Sequence, residues 1–268
     1  MVEISQSIYN GILHELTTEE ECHSFIDMLD FISEKISYFD AHKNKKTFEI
    51  IVSEIIKNQW WSAVSLIFID AKWCQKAYIR CKDYVPKNKL WCFFIDIYIK
   101  NGFDFPKHLI DEAIPYRPAD FQLELPSEYK NMDCITVYRA SCTPPLILFD
   151  KLVNEGDIKN ETSWTISPTI ALGFYQMRID FKQKCYLYRA TIHKDKIIAY
   201  ISHHCQEEVL QRNSVTNIEP INLYRFHNLC KLEQEYGAVA AQIIDKVEYK
   251  MGIRYNLITG KKYNIREQ

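Results

Sequence analysis

The feature that most constrains this chain is a change of hydrophobic period at a proline-rich segment. Prolines at 115, 118 and 126 interrupt the stretch "PYRPADFQLELP", and such clusters mark boundaries between periodic segments. Before them apolar residues recur at helical spacing, whereas after them short runs rich in Ile, Val, Tyr and Thr favour strands. The sequence therefore predicts an α+β protein. A helical accessory region occupies residues 1–120, and a mixed β-sheet domain with helices occupies residues 121–268.

The first region predicts five helices. Thr18 and Glu21 form a capping-box pattern ahead of the first periodic run, and Thr47 is the expected cap of the next helix. The apolar stretch from Trp60 to Cys81 predicts one long, central helix. The fourth helix lies in "KNKLWCFFIDIYIK" and the fifth in "KHLIDEAI".

The second region alternates strands with helices. Strands are predicted at residues 133–140, 163–166, 185–192, 196–201 and 207–212. A helix that begins at Pro168, with Ser167 as its N-cap, joins the second and third strands. A single helix over "NLYRFHNLCKLEQEYGAVAAQIIDK" follows the fifth strand, and a hairpin that turns at Thr259-Gly260 closes the chain.

Composition limits the classes of protein and partner. Hydrophobic residues make up 47% and aromatic residues 13% of the 268 residues, so a sizeable core is expected and disorder is not. The net charge of -2 argues against broad electrostatic binding to nucleic acid or membrane. No secretory signal and no apolar run of the ~18 residues needed to cross a bilayer are found. We expect a cytoplasmic protein, or one delivered into a host cytosol, without a membrane partner.

Cysteine usage points to a reducing compartment. The nine cysteines form an odd set with no CxxC pair, and several lie inside apolar runs such as "LWCFFIDIYI". This pattern favours buried free thiols over a disulfide framework.

Familiar cofactor and metal motifs are missing from the sequence. There are only seven glycines and no GxGxxG or GxxxxGK[ST], so a glycine-rich dinucleotide cradle is unsupported. No HExxH or paired CxxC indicates zinc. The "HHC" at 203–205 presents its side chains in alternating directions, so we expect a solvated turn there and no metal.

Three local features remain as functional candidates. They are Arg139 in the strand "CITVYR", the hydroxyl-rich run "SWTIS" that begins at Ser163, and Gln206-Glu207-Glu208. Each has an ordinary interpretation: a surface arginine, a strand-turn-helix junction and a solvated carboxylate pair. In their order along the chain, however, they resemble the Arg–Ser–Glu class of mono-ADP-ribosyltransferases. That class has an arginine on a first strand, Ser-x-Thr/Ser opening a second, and Glu/Gln-x-Glu opening a fifth.

The resemblance extends beyond single residues. "VYRA", "SWTISPTIALGFY", "CYLYRATIHKDKIIAYI" and "QEEVL" are similar to consecutive blocks of the toxin-like and phage-like members of that family. The likeness covers residues 133–212 and leaves out the helical region. Because "YRA" occurs twice, the family's order is needed to select Arg139, and Arg189 on the middle strand is expected to be structural.

The resemblance implies NAD as co-substrate, with no metal. Arg139 would grip a phosphate of NAD through its planar fork of donors. Ser163 would hydrogen-bond the catalytic glutamate and hold the nicotinamide ribose, with Thr165 as part of the same site. Phe174 or Tyr175 would pack against the nicotinamide, although a helix of this kind also uses aromatics in its core.

The resemblance makes Glu208 the catalytic residue. Its carboxylate would accept from the ribose 2′-hydroxyl and stabilise the positive charge that develops as the bond to nicotinamide breaks. Two departures from the family's pattern stand out. Gln206 occupies the position that orients the acceptor, where glutamate often accompanies arginine modification. Ala140 follows Arg139 where many relatives have glycine, and its methyl group would crowd the nicotinamide amide.

Several functions stay open at this stage. The leading hypothesis is transfer of ADP-ribose to a macromolecule, either a protein side chain or a nucleic acid, in a toxin, effector or defence role. The basic and tyrosine-rich "IRYNLITGKKYNIR" could approach RNA or DNA, although a solvated hairpin face is the ordinary interpretation. One alternative is a catalytically inactive transferase fold that captures a protein partner or inhibitor through the helical region. Another is an NAD glycohydrolase, with water as the acceptor.

Overall fold

The chain forms two compact units, residues 1–121 and residues 122–268. The computed structural model describes residues 26–28, 30–31, 45–68, 70–101, 105–119, 123–148, 151–202, 207–255 and 262–264. Four features predicted from sequence lie outside these residues. They are the Thr18–Glu21 capping box, the "HHC" at 203–205, Gln206 and the Thr259-Gly260 turn.

The first unit is helical throughout its longer described segments. Its helices are α1 (Lys45–Asn58), α2 (Ala63–Ile67), α3 (Ala71–Cys81), α4 (Lys87–Asn101) and α5 (Lys107–Ala113). Aromatic rings hold this unit together. The ring of Phe105 meets Phe94 and Tyr98 edge-on, at centroid distances of 5.7 and 5.8 Å, a geometry that aromatic quadrupoles favour.

Two helix predictions in this unit are wrong. The expected long helix from Trp60 to Cys81 is broken, because the Asp70 carboxylate accepts the backbone N–H groups of Lys72 and Trp73 at 3.0 and 3.2 Å. This N-cap starts a new helix at Ala71. Thr47 does not cap α1, which begins two residues earlier, and its side chain is buried inside that helix.

In the part of the chain that the structure describes, the second unit combines strands with four α-helices. The strands are β1 (Cys134–Ser141), β2 (Ile147–Leu148), β3 (Lys151–Leu152), β4 (Ser163–Thr165), β5 (Tyr186–His193), β6 (Ala199–Ile201), β7 (Glu208–Leu210), β8 (Thr216–Ile221), β9 (Ile253–Tyr255) and β10 (Lys262–Asn264). The helices are α6 (Glu155–Lys159), α7 (Pro168–Asp180), α8 (Leu223–Tyr236) and α9 (Ala238–Lys250). The α+β class predicted from sequence is therefore confirmed.

Six strands form one sheet in the order β6-β7-β4-β1-β5-β8. The prediction of a mixed sheet is wrong, because the pairings among the described strands are all antiparallel. Strand β8 was also missed, since it contains Pro220 and Asn217, the latter at a φ of 51°. Pro220 is tolerated because β8 is an edge strand, where a missing N–H donor leaves no ladder bond unmade. Asn217 lies at a register shift in the pairing of β8 with β5.

The helix predicted after the strands is also two helices. Gly237 separates α8 from α9 with a φ of 84° and a ψ of 163°, a backbone conformation that essentially only glycine adopts. The pairing of the predicted closing hairpin is confirmed, since β9 pairs antiparallel with β10.

The two faces of the six-stranded sheet have separate cores. The Trp164 face carries Val137, Trp164, Tyr188 and Val209 in one apolar cluster. The Glu208 face carries Tyr138, Ala140 and Leu187, which pack against α7 and α8, together with Ser163, Thr165, Arg189 and Glu208 by strand alternation. Trp164 is 1% exposed, so its predicted core role is confirmed.

The helix start predicted between the two strand motifs is confirmed as well. Ser167 accepts a hydrogen bond from the Ile170 backbone N–H at 3.3 Å, and Pro168 is the first residue of α7. The N–H groups in the first turn of a helix have no carbonyl partner within the helix, so the Ser167 hydroxyl serves as the acceptor for Ile170. Proline suits the first helical position because no N–H donor is needed there.

The cysteines follow their prediction in part. Those at 74, 81, 185 and 230 are buried free thiols, whereas those at 92, 134 and 142 are exposed free thiols. Cys92 lies inside the apolar run "LWCFFIDIYI" but on the outer side of α4, so the apolar run alone misplaced it.

No helix in the described part of the chain has both the length and the apolar character that crossing a bilayer requires.

Candidate active site

A row of directly opposed residues crosses the sheet from edge to edge. From β6 to β8 it runs Ile201, Glu208, Thr165, Tyr138, Arg189 and Glu219. Directly opposed residues of antiparallel strands project to the same face. A carboxylate, a hydroxyl, a phenol and a guanidinium therefore follow one another across the Glu208 face.

Glu208 opens β7 and lies in the interior of this row. Its side chain is largely buried, at 6% exposure, and its Cα partner Thr165 is 4% exposed. The Thr165 hydroxyl oxygen accepts the backbone N–H of Ser167 at 3.2 Å, which fixes its rotamer at the turn into α7. The site thus places a buried carboxylate next to a hydroxyl whose orientation is set by the backbone.

Ser163 shares the face but not the register position that the resemblance implies. Its Cα partner is Leu210, two residues beyond Glu208 along β7. Ser163 is half-buried, whereas Thr165 is buried. The structure therefore brings Ser163, Thr165 and Glu208 onto one face, and Thr165 is the residue directly opposite the carboxylate.

Arg139 projects from the other face. It is the Cα partner of Tyr188 in the Trp164 cluster, while its neighbour Tyr138 is on the Glu208 face. Its Nη1 donates to the Ser163 carbonyl oxygen, and its Nη2 donates to Glu161 Oε2 at 2.9 Å. Arg139 therefore contacts the second strand motif through backbone, and its charge is balanced by a carboxylate.

Glu161 is a site residue that sequence reasoning missed. Its carbonyl oxygen accepts from Trp164 Nε1 at 3.0 Å and from Gln211 Nε2. Gln211 is fully buried, and its backbone N–H donates to Thr162 at 2.9 Å. These bonds hold the segment that presents Glu161 to Arg139. No sequence signal could have found this pair, because its members are joined only by the pairing of β1 with β4.

Further carboxylates surround the start of β7. Glu207 is half-buried at a φ of 43°, and its pKa is raised above the ordinary value by burial, then by the charges of Glu233 and Glu128. Glu233 is held in place by Thr169, whose backbone N–H donates to Oε2 at 2.9 Å and whose hydroxyl donates to the same oxygen. This negative environment favours cationic species near Glu208. Sequence reasoning treated Glu207 only as the spacer of its motif.

Of the remaining predicted site residues, Phe174 and Tyr175 are described by the structure and Gln206 is not. Phe174 and Tyr175 are half-buried on α7 and pack against the cluster of Tyr138 and Ala140, on the Glu208 face. Burial raises the pKa of Tyr138 well above the usual phenol range, so this residue stays protonated at neutral pH. Gln206 lies outside the described residues.

In the second copy of the Tyr-Arg-Ala tripeptide, Arg189 has a structural role. Its guanidinium pairs with Asp245 Oδ2 at 2.7 Å and with Glu219. The described residues contain no group of three or more His, Cys, Asp or Glu side chains placed to hold a metal ion.

Comparisons of the chain with protein-family models, with curated proteins and with solved structures gave no match.

Proposed function

We propose that this protein is an NAD-dependent mono-ADP-ribosyltransferase that modifies a macromolecular target. One observation carries the proposal. Arg139, Ser163 and Glu208 stand on the first, second and fifth strands of the six-stranded sheet in chain order, and these strands are neighbours in it, as β1, β4 and β7. The order of motifs that resembles the Arg–Ser–Glu class thus coincides with adjacency in the fold.

The chemistry of Glu208 suits bond breaking at the nicotinamide ribose. Its carboxylate would accept from the ribose 2′-hydroxyl and stabilise positive charge on the sugar as nicotinamide leaves. Burial strengthens this electrostatic effect because less water screens it. Glu207 and Glu233 are further carboxylates near the start of β7. The half-buried hydroxyl of Ser163, and that of Thr165 opposite the carboxylate, would position the ribose.

The guanidinium of Arg139 could bind a phosphate in place of the Glu161 carboxylate. Its guanidinium already donates to an anion, Glu161, from a side chain that is 10% exposed, and Glu161 itself is 28% exposed. A phosphate oxygen accepts the same charge-assisted bonds as a carboxylate. NAD binding at Arg139 would therefore displace Glu161 toward solvent, and the bond to the Ser163 carbonyl would keep the guanidinium in place.

The proposal is tested by incubating the protein with labelled NAD and a cell lysate, then separating protein from nucleic acid. Wild type should transfer label to one fraction and release nicotinamide. Glu208→Gln should lower the rate by about 10²–10³-fold. Glu155→Gln, which alters an exposed carboxylate on α6, is the matched control and should keep the wild-type rate. Absence of NAD cleavage by wild type, or full activity in Glu208→Gln, would overturn the proposal.

A second candidate is a transferase fold that binds without reacting. Three observations favour it: the ion pair that occupies Arg139, the burial of Glu208, and the projection of these two side chains from opposite faces of the sheet. Calorimetric titration with NAD separates the two, because an inactive fold should bind NAD weakly or not at all and should act through a protein partner or inhibitor of the helical unit. Release of nicotinamide without labelled macromolecule would instead indicate an NAD glycohydrolase.

A further inference from the structure

Two cysteines flank the end of the longest strand pair of the sheet. Strands β1 and β5 pair without interruption from Cys134↔His193 to Ser141↔Tyr186. Cys142 directly follows β1 and Cys185 directly precedes β5, and their thiols are close enough to interact electrostatically. Opposed residues of an antiparallel ladder have Cα atoms about 4.5–5.5 Å apart, which is within the about 4.4–6.8 Å that disulfides bridge.

A guanidinium from α7 contacts one of these thiols. Arg178 Nη1 lies 3.1 Å from Cys142 Sγ, and the same sulfur lies 3.7 Å from Gln183 Oε1. Cys142 is exposed, whereas Cys185 is 8% exposed. A guanidinium in contact with an accessible sulfur can stabilise the negative charge that the sulfur carries when it reacts as a nucleophile. The exposed member is thus the one with the activating neighbour.

The pKa of the buried Cys185 thiol depends on the same neighbouring groups. Burial raises the pKa of Cys185, Arg178 opposes that rise, and negative charge on Cys142 adds to it. Burial and the neighbouring sulfur thus both oppose ionisation of Cys185. Such an asymmetry is typical of a pair in which one sulfur is attacked by an oxidant and the other resolves the product.

We propose that Cys142 and Cys185 form a peroxide-reactive thiol pair, an oxidation site that is independent of the transferase chemistry. The Cys142 thiolate attacks one oxygen of a hydroperoxide and breaks the O–O bond, which gives a sulfenic acid and, with one proton, water or an alcohol. The Cys185 thiolate then attacks the Cys142 sulfur, and hydroxide leaves and takes up the Cys185 proton as water. Overall, two thiols and one hydrogen peroxide become one disulfide and two waters.

The chain supplies matched controls for this pair. Cys134 is exposed at the opposite end of β1, and its Cα partner is His193 and not a thiol. Cys92 is exposed on α4. Neither has the combination of an opposed cysteine and an arginine contact that Cys142 has.

The test treats the reduced full-length protein with equimolar hydrogen peroxide, blocks remaining thiols by alkylation and maps the cysteines by peptide mass spectrometry. Cys142 should disappear about tenfold faster than Cys92 and Cys134, because a guanidinium contacts its sulfur and can stabilise the charge that develops there in the reaction. The Cys142–Cys185 disulfide should be the first product. Equal rates at the three exposed cysteines, or a first disulfide between other cysteines, would overturn the proposal.

Variants distinguish the two roles without relying on enzymatic activity. In Cys185→Ser the reaction should stop at the sulfenic acid of Cys142, which a dimedone adduct detects. Arg178→Met should slow oxidation of Cys142 about tenfold, and Arg178→Lys should largely restore the rate because it keeps the charge. A rate unaffected by Arg178→Met would contradict the assigned role of the guanidinium. Since Cys142 is exposed, Cys142→Ser should fold normally and show no disulfide at Cys185 under equimolar peroxide.

Discussion

The tripeptide Tyr-Arg-Ala occurs twice in the second unit, and the two copies pair with each other. Tyr138 is the Cα partner of Arg189, and Arg139 is the Cα partner of Tyr188. Because successive side chains alternate between the faces of a sheet, the two arginines project in opposite directions. Identical local sequence therefore leads to two different environments, which only the strand pairing distinguishes.

On the Glu208 face, Arg189 belongs to a closed network of charges. Asp245, which is 2% exposed, accepts from Arg189 at 2.7 Å and from Arg225 through two bonds of 2.8 and 2.7 Å. Glu219 contacts both guanidinium groups. Each charge in this network is balanced by another, so the network fixes α9 and α8 against the sheet.

On the Trp164 face, Arg139 has a different kind of partner. Its carboxylate partner Glu161 is 28% exposed, and its other acceptor is a backbone carbonyl. A partly exposed ion pair contributes little to stability and can exchange one anion for another. The comparison assigns structure to Arg189 and proposed ligand binding to Arg139, and four measurements can break or sharpen it.

The largest expected effect is on the buried network. Asp245→Asn leaves the guanidinium groups of Arg189 and Arg225 without their shared anion, so the free energy of unfolding should fall by about 3–5 kcal/mol. Urea denaturation followed by circular dichroism measures it. Glu161→Gln is the paired control on the other face and should cost no more than about 1 kcal/mol. Similar losses in the two variants would erase the distinction between the faces.

The second largest effect on stability is expected at Gly237, which connects α8 to α9, the helix that carries Asp245. Gly237 has a φ of 84° and an added Cβ would meet nothing within 4 Å, so Gly237→Ala should cost about 1–3 kcal/mol through backbone strain alone. Gly173 in α7 also has open space around it but no positive φ. Gly173→Ala should therefore stabilise the protein, by about 0.5–1 kcal/mol. An unchanged free energy of unfolding in Gly237→Ala would show that the backbone at Gly237 imposes no strain on alanine.

NAD affinity should depend on Arg139 and not on Arg189, whereas stability should depend on Arg189. Arg139→Lys replaces a bidentate fork with a point charge, so calorimetry should show NAD affinity about ten- to hundredfold weaker, with the unfolding free energy nearly unchanged. Arg189→Lys should lower stability and leave NAD binding by the folded protein unaltered. Wild-type affinity in Arg139→Lys would remove this residue from the proposed site.

The smallest expected effect is a pH dependence at Glu207. Its folded-state pKa is raised above the ordinary 4.5, mainly by burial, so the charged form is less favourable in the folded than in the unfolded chain. Below pH 4.5 the group is protonated in both states and costs nothing. As the pH rises from there through the folded-state pKa, wild type loses stability relative to Glu207→Gln, and the difference is then constant.

Melting temperatures at pH 4 and pH 8 measure this difference. Glu207→Gln should melt at most about 2–4 °C above wild type at pH 8 and together with it at pH 4. A stabilisation that grows toward low pH would have the wrong sign for a raised carboxyl pKa.

The sequence by itself determined the features that depend on a few neighbouring residues. The change from helices to strands, the start of α7 at Ser167-Pro168 and the burial of Trp164 all follow from local caps and periodicity. Tertiary structure alone decided the antiparallel sheet, the position of Thr165 opposite Glu208 and the pair between Arg139 and Glu161. These depend on register between strands far apart in the chain, and register is fixed by which faces can be buried together.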